Sequence, residues 1–265
     1  MKSMSLINRV LLAVLVTVAS TSGAAQFEEV FDETYALGSG GTISLDNVNG
    51  DVTIEVWERS EVRVYAVKSA GSQRYLDGLR IDVDASSSSI DIDTFYPSMR
   101  RGDVEEWLDD GHRHGDHKMN VEYTLTVPRT AVIAGVDLVN GSLLVDGVEG
   151  GVGAECVNGS ITVRNGAGNF ELATVNGSVD LYADRLDFGD RIDMESVNGS
   201  LDLYLAPSVG AEIDAETVNG KLSNDFGIDV HRGKYVGSDF SGEVGGGGAR
   251  ISLETVNGRI SVHSS

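Results

Sequence analysis

The sequence predicts an all-β chain, a right-handed parallel β-helix (β-solenoid) with rungs of about 18–22 residues marked by Val-Asn-Gly corners. Two observations predict it. The tripeptide Val-Asn-Gly returns at Val139, Val157, Val175, Val197 and Val218, at steps of 18, 18, 22 and 21 residues, with further copies at Val48 and Val256. A period near 20 residues is the mark of stacked repeats. The residues on either side of each copy alternate apolar and polar, which is the period of a half-buried strand.

Aligned rung under rung, the inward positions before the corner read Ala134, Val152, Phe170, Ile192, Ile213 and Ile251, then Val136, Ala154, Leu172, Met194, Ala215 and Leu253. After the corner, Leu143/Val145, Ile161/Val163, Val179/Leu181, Leu201/Leu203 and Ile260/Val262 point inward. No rung has helical spacing. At the corner, Gly is expected to supply φ > 0, and Asn tolerates the same region. The corner Val is expected to fill the angle between two strands. Stacking places Asn140, Asn158, Asn176, Asn198 and Asn219 in one file, where amides can bond rung to rung. A parallel crossover of this kind is right-handed.

In chain order, Lys2 and Arg9 flank a polar start, Val10–Val18 is a short apolar run, and Ser22-Gly23-Ala24-Ala25 offers small residues for cleavage. That is the layout of a secretory signal peptide over residues 1–25, too short for a membrane span. The mature chain, 26–265, is expected to be one β-solenoid domain without a transmembrane span, in the periplasm, in the outer envelope or secreted. Val48-Asn49-Gly50 with Ile43/Leu45 and Val52/Ile54 starts the solenoid, and further alternating runs follow at Val62–Ala66, Leu79–Val83, Ile90/Ile92 and Val121–Val127. Residues 94–120 break the pattern and read as a surface insertion. Residues 230–249, with the run Gly245–Gly248, read as a Gly-rich irregular stretch; no helix follows the glycines, so a phosphate-cradling loop is not indicated.

The net charge is −21, or −23 once Lys2 and Arg9 are lost with the leader. Such a balance repels nucleic acid and anionic membrane and leaves polycations, divalent ions and basic partner surfaces as candidates. The lone Cys156 cannot form an internal disulfide and takes the place that Thr174, Ser196, Thr217 and Thr255 take in other rungs, as a small side chain in a ladder.

The leader, the opening Asp46-Asn47-Val48-Asn49-Gly50-Asp51-Val52, Val121–Pro128 and the recurrent Val-Asn-Gly-Ser resemble the bacterial envelope adhesin-like β-helical domain family of unknown function, related to the autotransporter-adhesin head domain. The resemblance spans about residues 27–265 and rests on repeat style. It implies a right-handed parallel β-helix in the cell envelope. It transfers no catalytic residue and no cofactor.

Three constellations are candidates for chemistry. The outward acids Asp137, Glu155, Glu171, Asp193, Glu195, Asp214, Glu216 and Glu254 form a solvated face, with Ca²⁺ binding or a polysaccharide lyase pair as alternatives. His112, His114 and His117, beside Asp109, Asp110 and Asp116, are the candidate metal ligands, although their spacing matches no zinc motif. Arg164, Tyr182 and Tyr204, each seven residues after its corner valine, are the candidate binding residues for an envelope protein or glycan. The resulting expectation is an exported, non-enzymatic envelope interaction or scaffolding module. The alternative is a polysaccharide-active β-helix enzyme, a lyase or hydrolase, which requires acids and bases to converge out of pattern.

Overall fold

The computed structural model describes residues 27–97, 119–233 and 236–265. The expected leader, residues 1–25, and His112, His114 and His117 lie outside them. The first strands are β1 (Phe27–Ala36), β2 (Thr42–Asn49), β3 (Val52–Trp57) and β4 (Glu61–Ala70); a one-turn helix, α1 (Gln73–Gly78), capped by Ser72, leads to β5 (Arg80–Ala85), β6 (Ser89–Phe95) and β7 (Met119–Pro128). The repeats follow as pairs of strands about a Val-Asn-Gly corner. They are β8 (Val132–Asn140) and β9 (Leu143–Asp146), β10 (Val152–Asn158) and β11 (Ile161–Ala167), β12 (Phe170–Asn176) and β13 (Val179–Arg185), β14 (Arg191–Asn198) and β15 (Leu201–Leu205), β16 (Ala211–Thr217) and β17 (Lys221–Asn224). After β18 (His231–Arg232) and β19 (Ser238–Val244), the last pair is β20 (Ala249–Asn257) and β21 (Arg259–Ser264).

The fold is all-β. Two open sheets of mixed direction enclose one core: a ten-stranded sheet, β1-β4-β7-β3-β9-β11-β13-β15-β21-β17, and an eleven-stranded sheet, β18-β19-β16-β20-β14-β12-β10-β8-β2-β6-β5. The strand before each corner lies in the second sheet and the strand after it in the first. Along the repeats all pairing is parallel, and from β10 to β20 in the second sheet it is in register, Val152↔Phe170↔Ile192↔Ile251 for example. Both ends are antiparallel, against the expectation of parallel pairing throughout: β1·β4·β7 and β5·β6 at one end, β16·β19·β18 at the other. Short connections such as residues 86–88 between β5 and β6 permit only an antiparallel return. Within the stretch 230–249, expected to be irregular, the described residues carry β18 and β19. Its four glycines, Gly245 to Gly248, all have positive φ (59°, 86°, 73° and 146°) and turn β19 into β20.

Stack order differs from sequence order in two places. β2/β3 sits directly on β8/β9, with Asn49 opposite Asn140. β20/β21 inserts between β14/β15 and β16/β17. The matching inward pattern of Ile251, Leu253, Ile260 and Val262 lets that pair fill a gap of two strands, and all four are buried. Each fully buried Val, Leu or Ile contributes about 1.5–3 kcal/mol. In the first repeat the inward residue is Ile133 rather than Ala134, because a bulge there shifts the register against both neighbours.

The corner glycines are explained by crowding. Of the seven, only Gly50 has positive φ, at 124°. A Cβ on Gly141, Gly159, Gly177, Gly199, Gly258 or Gly220 would lie 1.7–2.1 Å from the carbonyl oxygen of the corner glycine on the neighbouring rung. Glycine is required because the rungs close up at the corner. Beside the glycines runs one unbroken amide file, and it includes Asn257 between Asn198 and Asn219. Each Nδ2 donates to the next Oδ1: Asn140 to Asn49 at 2.9 Å, Asn158, Asn176, Asn198 and Asn257 in turn at 3.0 Å, and Asn219 to Asn257 at 3.1 Å.

Candidate functional site

The corner valines do not fill the angle between strands. Each strand but β16, which ends at Thr217, runs straight through its valine and turns at Asn-Gly, so the residue before the valine points inward and the valine points out. Leu138, Cys156, Thr174, Ser196, Thr255 and Thr217 are buried, while Val48, Val139, Val157, Val175, Val197, Val256 and Val218 are 39–43% exposed. In-register stacking makes the valines one straight row across the second sheet, with rungs about 4.8 Å apart. On β6, Phe95 is also exposed, 44%, beneath the Arg80 guanidinium.

Two residues before each valine, on the same face, stand Asp46, Asp137, Glu155, Ala173, Glu195, Glu254 and Glu216 in stack order. Valine row and acid file together form a groove of about 690 Å³. The groove floor is fixed by hydroxyls that donate to corner carbonyls: Thr174 to Gly159 at 2.9 Å, and Ser196 to Gly177, Thr217 to Gly258 and Thr255 to Gly199 at 3.2 Å. At the β2 end Asn47 takes this role, its Nδ2 donating to the Val121 carbonyl at 2.9 Å while Tyr96 Oη donates to its Oδ1 at 2.8 Å. Burial and then the charge of Asp137 push the Asp46 carboxyl above its ordinary range; burial and then Asp46 do the same to Asp93. Cys156 in the floor has its thiol pushed up to about 12, by burial and then by Asp137, which makes it a poor nucleophile.

The remaining acids, Glu171, Asp193 and Asp214, form a second file two residues further from the corner, with Ser252 between Asp193 and Asp214. Among the described residues no three His, Cys, Asp or Glu side chains are grouped to hold a metal ion.

On the first sheet, Tyr182 and Tyr204 stack with centroids 4.2 Å apart and planes 3° from parallel. The stack continues to His263, 4.7 Å from Tyr204. Sequence order hid His263, which is also seven residues after its corner valine and becomes a neighbour only because β21 pairs with β15. Arg164 is exposed at a bulge in β11, beside Asn165 at φ 51°, where the register against β13 shifts. Tyr182 and Tyr204 turn one face toward each other, so the pair offers edges and hydroxyls more than an open face. Next to them Asp180 and Asp202 are in register; burial and then Asp202 raise the Asp180 carboxyl, while Arg259 Nη2 lies 3.2 and 3.1 Å from the two oxygens of Asp202.

No family model and no curated protein matches the sequence. Solved structures do match. A "putative cell adhesion protein" from Clostridium sporogenes is 13% identical with a TM-score of 0.52, over 89% of this chain and 100% of that one. A "putative adhesin" from Bacteroides fragilis is 12% identical with a TM-score of 0.29, over 89% and 97%. Another from Parabacteroides merdae is 11% identical with a TM-score of 0.35, over 89% and 96%. Among the described residues no helix is long and apolar enough to cross a membrane. The chain is similar in fold to the Clostridium protein.

Proposed function

We propose that this protein is an exported, non-enzymatic, adhesin-like interaction module of the cell envelope, its stacked rungs coiling as a right-handed parallel β-helix and its valine groove serving as the contact surface. The carrying observation is the row of seven corner valines, all 39–43% exposed. Single exposed valines are ordinary, whereas a contiguous apolar row with a polar rim marks an interaction site. The adhesin-like names of its structural neighbours support the reading at the level of fold. The test is the triple variant Val157→Thr, Val175→Thr, Val197→Thr, which keeps β-branching and removes apolarity. Co-sedimentation with an envelope fraction is expected to fall at least tenfold while the far-UV spectrum is kept. Undiminished co-sedimentation overturns the groove as the contact surface.

A second reading, a polysaccharide-active enzyme, is favoured by one observation: Asp180, Asp202 and Arg259 bring two acids and a base together on the first sheet. Its test is release of reducing or unsaturated sugar ends from envelope polysaccharide by the wild type but not by Asp180→Asn. Absence of release from the wild type sinks it.

A further inference from the structure

We infer that the valine groove takes an amphipathic α-helix of a partner polypeptide, apolar along one stripe and lined with Lys or Arg beside it. This rests on the groove being the contact surface and adds the occupant. Three features select it. First, the apolar row is one side chain wide and seven rungs long, six steps of about 4.8 Å, or roughly 29 Å, which matches one stripe of a helix of about 20 residues. Second, the row runs across the strands. The corner backbone groups beside it are already paired rung to rung, Gly141 N to Asn158 O at 3.1 Å and Gly159 N to Asn176 O at 3.1 Å. An extended peptide laid along the groove would find no free edge to pair with, so the occupant must satisfy its own backbone, as a helix does.

Third, the charge is one-sided. The acid file follows the valines along one flank, broken only at Ala173, while the opposite flank is the neutral asparagine ladder. Asp46 and Asp93 are held above their ordinary range by burial and by facing acids, so a cationic flank on the partner would relieve repulsion already present. A second copy of the chain would bring another acid file to the same groove, and an anionic lipid surface would be repelled.

The experiment uses the mature chain and three labelled 20-residue helical peptides: one of Leu and Lys, its Leu and Glu counterpart, and one of Ser and Lys. Anisotropy titration is expected to show binding of the Leu/Lys peptide only. Binding should weaken at least tenfold both in Val157→Thr/Val175→Thr/Val197→Thr and in Glu155→Gln/Glu195→Gln/Glu254→Gln. Only the second loss should shrink as salt is raised. Equal binding of the Leu/Glu or Ser/Lys peptide overturns the inference, as does Leu/Lys binding that ignores the valine variant. Self-association of the chain abolished by the valine variant assigns the groove to a second copy and also overturns it. Loss of envelope binding in the valine variant with no peptide bound removes the helical occupant and leaves the contact surface standing.

Discussion

The side chain of Asn257 donates to that of Asn198 at 3.0 Å across 59 residues of sequence, and through it the amide file passes unbroken from Asn49 to Asn219. Every interior member both donates and accepts, which an alanine or an ionised carboxylate cannot do. Asn176→Ala should cost about 1–2 kcal/mol, the worth of two exposed hydrogen bonds. Asn176→Asp should cost more at neutral pH, because its carboxylate can accept from Asn198 but faces the Asn158 oxygen without a proton to donate. Protonation restores that donor, so the excess cost of the acid should vanish as pH falls through the carboxylate range. Denaturant melts of the two variants at pH 7 and pH 4 check both statements.

Gly177→Ala is the sharpest test of the crowded corner. Its Cβ would sit 2.0 Å from the Gly159 carbonyl oxygen, and the rungs must separate to admit it. A loss of about 3 kcal/mol or more is expected, at the upper end of overpacking costs. Gly189→Ala, at φ 95° with open space around it, should lose only about 1–2 kcal/mol. If the two melt alike, crowding is not what the corner glycines relieve.

Asp46 tests the like-charge flank. A carboxyl whose folded value is raised opposes folding above that value, and the opposition disappears as pH drops below the unfolded value of 3.8. Asp46→Asn should therefore stabilise the fold at pH 7 by on the order of 0.5 kcal/mol for one opposed, solvent-screened pair, read as a higher Tm. The gain should fade toward pH 4. A variant less stable at pH 7, or a gain independent of pH, contradicts the sign.

Cys156 should react with a thiol-specific disulfide reagent at pH 8 only on the unfolding timescale, since its thiol is buried and pushed up to about 12. Fast labelling of the native chain would place it at the surface.

The repeat made much of this legible. Period-two alternation identified inward residues after every corner but the one at Val218, and each of those, from Val52 to Val262, is buried. Three things were not legible. The corner valines were misplaced because the tripeptide alone does not say where the strand stops, and one residue of strand decides which face a side chain takes. The glycine was read as a conformational need because its neighbour is a carbonyl 18 to 91 residues away, which no local pattern displays. His263 was missed because stack order is set by which pair of strands fills a gap, and sequence order gives no sign of that. The candidate ligands His112, His114 and His117 lie outside the described residues.

The same insertion of β20/β21 has a kinetic meaning. Between Asn140 and Asn198 each rung meets a neighbour 18 or 22 residues away, so this block can zip from short loops. The seams at Asn49–Asn140 and Asn198–Asn257 close loops of 91 and 59 residues. Closing the longer loop costs about 1.4 kcal/mol more than an 18-residue one, by the logarithmic dependence on length. The four middle rungs are therefore the natural nucleus. The rung at 211–224 cannot dock until residues 249–264 have come to lie beneath it, so that end of the molecule assembles as a unit and leaves the stack as one.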